Sequence, residues 1–151
     1  MDPTKSCPPE TPPFEFGPTG LGATNEAMGV KAYLDTASSK PPLNGSNDWT
    51  IAFTDMQGTA MPSAKLTWAC AWMPAHGHGS NPKMVENLGG GKYKLVKQNM
   101  AMQGGWQIRL WVDPAGGGTE YTGGNAGSIN RTSCTKPGTD PSLTLYTCVP
   151  R

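Results

Sequence analysis

Charge is scarce in this chain. Only 15% of its 151 residues are Asp, Glu, Lys or Arg, and the two signs nearly cancel to a formal net charge of +1. So weak a field gives no electrostatic footprint for nucleic acid or an anionic membrane surface, and no run of basic residues interleaved with aromatics occurs. Long hydrophobic runs are missing as well, and nothing approaches the roughly 20 apolar residues of a membrane-spanning helix. The first dozen residues are polar and Pro-rich, unlike a secretory leader, so an extracytoplasmic location implies a leader already removed. Helix signals are few: the longest apolar stretch without quick interruption, Asn25 to Leu34, is too short to stand as one.

Catalytic constellations are also lacking. Asp55, Glu86, Asp113 and Glu120 are scattered and form no acid–base pair, and no Ser or Thr stands in a nucleophile-elbow context. With two histidines in the whole chain, an oxidative metalloenzyme has little to build on. The expectation is a protein that is not an enzyme.

What the chain does have is 20 glycines, 15 prolines and five tryptophans. Glycine and proline at that level suit either disorder or many short strands joined by turns, and the tryptophans favour strands. Four cysteines, Cys7, Cys70, Cys134 and Cys148, lie far apart with no C-x-x-C pair. Wide, even spacing suits two structural disulfides in an oxidising compartment, and three connectivities are open. Lys136-Pro137-Gly138-Thr139-Asp140-Pro141 reads as a turn between Cys134 and Cys148, which favours pairing those two and leaves Cys7 for Cys70.

Strand periodicity is clearest in the middle. Trp49, Ile51 and Phe53 alternate with Thr50, Ala52 and Thr54; Leu66, Trp68, Cys70 and Trp72 share one face of a second strand that stops at Pro74. Tyr93 and Leu95 mark a third strand, and Trp106, Ile108, Leu110 and Val112 a fourth. Gly29 to Thr36 and Leu143 to Val149 add candidates at either side. Such spacing predicts an all-β, immunoglobulin-like β-sandwich. Its parts would be a Pro-rich N-terminal arm over residues 1–28, the sandwich over 29–113, and a Gly-rich, disulfide-tethered C-terminal extension over 114–151 packed on the same domain.

Two segments carry donor atoms for a metal. Met73-Pro74-Ala75-His76-Gly77-His78-Gly79 holds both histidines, and Met100-Ala101-Met102-Gln103-Gly104-Gly105-Trp106 holds two methionines at the same spacing. In extended backbone, residues i and i+2 point the same way, so each segment can present two donors on one side. Imidazole and thioether together suit copper, and thioether favours Cu(I). His76, His78, Met100 and Met102 are therefore the candidate ligands, with Met73 as a fifth. The plainer alternative is that the methionines turn inward as core fillers.

These segments resemble the YtkA-like and FixH-like domains, small bacterial extracytoplasmic modules with an immunoglobulin-like fold. The resemblance rests on the Met73 to Gly79 loop, on Gly91-Lys92-Tyr93 at a strand start, and on Met102-Gln103-Gly104-Gly105-Trp106 turning into a final strand, where Gln103 replaces the usual Pro. It extends over about Gly29 to Asp113. It implies a periplasmic, cell-surface or secreted location, a link to copper handling in some relatives, another extracytoplasmic protein as partner, and family motif positions at Met73, His76, His78 and Met102. A different class of function also fits the residues: a metal-free module that binds a protein or glycan through exposed aromatics such as Trp111, Trp68 or Trp72, with Arg109 beside Trp111.

Overall fold

A computed structural model describes residues 22–39, 42–124, 134 and 140–149. The described residues form nine strands: β1 (Ala23–Asn25), β2 (Val30–Ala37), β3 (Gly45–Thr54), β4 (Lys65–Met73), β5 (His78–Ser80), β6 (Met84–Gly89), β7 (Lys92–Met100), β8 (Gly104–Asp113) and β9 (Leu143–Val149). Among the described residues there is no helix, hence none long and apolar enough to cross a membrane. The strands make two antiparallel sheets, β1-β2-β3-β7-β6 and β5-β4-β8-β9, packed as a β-sandwich as the periodicity predicts.

The core lies between the sheets. Val30, Ala32 and Leu34 of β2, Trp49, Ile51 and Phe53 of β3, and Tyr93 and Leu95 of β7 meet Leu66, Ala69 and Ala71 of β4, Trp106, Ile108 and Leu110 of β8, and Leu143, Leu145 and Val149 of β9. The last of these strands is more than an attachment. It pairs with β8 from Gly104↔Val149 to Leu110↔Leu143 and supplies core side chains, so the hydrophobic interior extends past Asp113. Likewise Ala23–Asn25, within the stretch expected to be an arm, pairs with β2 as an edge strand. Residues 1–21 of that arm lie outside the described residues.

Two bulges decide which side chains face inward. On β4 the pairing with β8 shifts between Leu66 and Trp68. A bulge inserts one extra residue and reverses the alternation beyond it. Ala69, Ala71 and Met73 therefore take the inner face after Leu66, while Trp68, Cys70 and Trp72 share the outer one with Trp111, Arg109 and Gln107, their rung partners. The single face expected for Leu66, Trp68, Cys70 and Trp72 is thus corrected: Leu66 stands apart from the other three. On β7, Val96 and Lys97 oppose the single residue Asp48 between the Trp49↔Leu95 and Asn47↔Gln98 rungs. Lys97 takes a φ of 52°, and its N–H donates to the Asp48 carboxylate at 2.9 Å. Beyond it Gln98 and Met100 are buried.

The expected cysteine pairing is overturned. Cys70 is bonded to Cys134, with Cα atoms 5.9 Å apart, so neither Cys134 with Cys148 nor Cys7 with Cys70 exists. Turn chemistry between two cysteines fixes only the local chain direction, whereas Cys70 projects from the outer face of β4, where Cys134 lands. Cys148 is also disulfide-bonded. Cys7 lies outside the described residues.

Candidate functional site

At one end of the sandwich the two donor-bearing segments come together. Met73 ends β4, and the amides of His76 and Gly77 both donate to its carbonyl, at 3.2 and 3.0 Å. Gly77 takes a φ of +64°, in the left-handed region that a glycine occupies without steric cost. This tight turn sends the chain back as β5, with His78 opposite Met73 in the ladder. Rung partners share a face, so His78 points to the inner side of the sheet, as Met73 does. His76 stays on the turn, exposed. A turn in place of extended backbone thus gives the two imidazoles different surroundings, yet leaves their ring centroids 5.9 Å apart with the planes tilted by 31°.

Met102 arrives from the other side. It sits in the turn between β7 and β8, half-buried against the core, and its sulfur lies 3.1 Å from His78 Nε2. A thioether has no hydrogen to give, so a hydrogen bond here places the proton on Nε2. Trp106 holds the arrangement from below: its indole N–H donates to the Met102 carbonyl at 2.9 Å, and its ring meets His78 edge-on with centroids 5.8 Å apart.

The other two methionines behave differently. Met100, the last residue of β7, is 0% exposed, and Met73 is 2% exposed; both belong to the hydrophobic core. Of the three methionines singled out beside the histidines, Met102 alone touches an imidazole nitrogen among the described residues.

A buttress that the sequence did not announce fixes β5. The Gln98 side-chain amide donates to the Ser80 carbonyl at 3.0 Å and to its hydroxyl at 2.8 Å, and that hydroxyl donates to the Asn99 carbonyl at 2.5 Å. On the outer side, Gly79 is pressed against β4 and Cys134: a Cβ there would stand 2.5 Å from the Ala71 carbonyl oxygen and 3.2 Å from Cys134 Cβ. An apolar Met100, out of phase with Tyr93 and Leu95, was the one visible sign of the β7 bulge, and the polar Gln98 gave none.

The donor set is soft and neutral. Among the described residues no three His, Cys, Asp or Glu side chains cluster so as to hold a metal. Nitrogen and thioether sulfur are what this end offers, a poor cage for hard cations that need several oxygens. A model of the YtkA-like family matches residues 28–110, more than half of the chain. The chain belongs to the YtkA-like family. That YtkA-like stretch contains both donor segments and all strands from β2 to β7, whereas β9, which pairs with β8, and Cys134, which lies against the β4–β5 side, fall beyond it. No curated protein and no solved structure matches the chain.

The aromatic surface fares less well as a binding face. Trp68 and Trp111 are each 3% exposed. Trp68 stacks on Tyr121 with centroids 4.5 Å apart, and Arg109 lies over Trp72 at 5.2 Å rather than on Trp111. Tyr146, at 49%, is the only aromatic among the exposed large hydrophobic side chains of the described residues.

Proposed function

We propose that this protein is an extracytoplasmic copper-handling module that holds Cu(I) between His78 and Met102, with His76 alongside. The observation that carries the proposal is the 3.1 Å approach of His78 Nε2 to the Met102 sulfur. Donors bound to one ion at about 2.0 Å for nitrogen and 2.3 Å for sulfur stand about 3.5 Å apart, so the pair has to open by roughly half an ångström. Two imidazoles on one ion place their ring centroids about 5 to 6 Å apart, which suits the 5.9 Å between His76 and His78. To bind, Nε2 must offer its lone pair, which requires the tautomer with the proton on Nδ1. A thioether ligand favours the monovalent ion, which also needs no anionic ligand to balance it. The protein's task on this view is to hold and pass on the ion, without a catalysed reaction.

An oxidising compartment is supported by the Cys70–Cys134 disulfide, since such bonds persist outside the cytoplasm. The partner is then another extracytoplasmic protein that donates or accepts the metal. The alternative of a metal-free module that binds through tryptophans loses support from the burial of Trp68 and Trp111. The test is titration with Cu(I) in competition with a chromophoric chelator. One equivalent is expected to be withheld from the chelator, and His78→Ala combined with Met102→Leu is expected to release it. Failure to withhold any copper would reject the proposal in favour of the metal-free module.

A further inference from the structure

We propose that the two histidines have unequal roles: His78 with Met102 is the resident pair, and His76 is the exchangeable outer ligand through which the ion enters and leaves. This rests on the copper proposal above. His78 is held on three sides, by the β4 ladder, by the Gln98–Ser80 contacts two residues on, and by the edge of Trp106. Met102 is fixed through its carbonyl by the same tryptophan. His76 has no such support. Its ring makes no hydrogen bond among the described residues, and Pro74, Ala75 and Gly77 around it are exposed as it is. Rotating that imidazole away breaks only its tilted ring contact with His78, so it is the ligand that yields to an incoming donor. Neither donor segment carries charge of its own: residues 73–82 and 98–108 contain no Asp, Glu, Lys or Arg.

The experiment loads wild-type, His76→Ala and His78→Gln proteins with Cu(I) and mixes each with excess bicinchoninate, following the coloured chelate in time. His76→Ala is expected to keep one equivalent, with affinity lower and release faster by about tenfold, while His78→Gln loses at least about a hundredfold in affinity. Met102→Leu is measured beside His78→Gln, in case the latter folds poorly, and is expected to lose as much. Equal losses in His76→Ala and His78→Gln, or release from His76→Ala at the wild-type rate, overturn the division of roles while leaving the copper site in place. A wild-type protein that withholds no copper overturns both.

Discussion

His78 and Met102, 24 positions apart in the chain, meet at 3.1 Å because each is delivered by a turn at the same end of the sandwich. The Pro74–Gly77 turn aims His78 inward from an edge strand, and the β7–β8 turn hangs Met102 from the indole of Trp106. Both donors therefore sit on backbone fixed by hydrogen bonds, while their tips stay half-buried and within reach of solvent.

The methionines should separate cleanly under mutation. Met100→Leu replaces one buried apolar side chain by another of similar volume, which costs under about 1.5 kcal/mol and leaves the imidazoles untouched. Met102→Leu removes the sulfur beside His78. The expected outcome is unchanged Cu(I) uptake for Met100→Leu and its loss for Met102→Leu, with similar denaturation midpoints. Uptake that depends equally on both would place Met100 among the ligands.

Gly79→Ala should destabilise the fold by about 1 to 3 kcal/mol, as overpacking does. The added methyl meets the Ala71 carbonyl at 2.5 Å, and that oxygen is backbone with no room to rotate away. Relief requires β5 to part from β4, carrying His78 with it. Thermal unfolding should show the loss, and Cu(I) affinity should fall as well. A variant as stable as the parent would mean that β5 is not pressed against its neighbours.

Much of the sandwich was legible because apolar alternation reports one-sided burial. β3, β8 and β9 stand where Trp49 to Phe53, Trp106 to Val112 and Leu143 to Val149 put them. The phase of β4 was not legible, since a bulge depends on how two strands pair and leaves no mark in one of them. β1, β5 and β6 escaped notice for a related reason: β1 and β5 are three residues long, too few for a period, and Met84, Glu86 and Leu88 of β6 are exposed while Val85 alone is buried. The donor residues were visible from their types. That Met102, and not Met100, would face an imidazole was decided by where β7 ends, between the two.

Removing the Cys70–Cys134 bond tests how far the outer layer supports β5. The bond closes a loop with a sequence separation of 64. Cross-links of that span contribute about 2 to 4 kcal/mol, mainly by restricting the unfolded chain. Cys134 also lies against Gly79, the residue between His78 and Ser80. Cys70→Ala with Cys134→Ala should therefore lower the denaturation midpoint, and faster amide hydrogen exchange should appear first at residues 78–80. Exchange there that matches the parent would show that the Gln98–Ser80 contacts suffice to hold the strand.

Alkaline pH should destabilise the protein through its buried tyrosines. Burial, and a hydrogen bond to Glu120, push the Tyr93 hydroxyl up to about 12; burial raises Tyr121 as well. The fold thus favours the neutral phenols. Stability from this source is complete below the ordinary tyrosine value near 10 and is lost as pH climbs from there through 12 and beyond, because the unfolded chain then gives up protons that the folded one retains. Urea unfolding between pH 8 and 11.5 should show the midpoint falling above pH 10. Tyr93→Phe removes one of the two groups and should make the decline shallower; a decline as steep as the parent's would show that Tyr93 ionises as freely folded as unfolded.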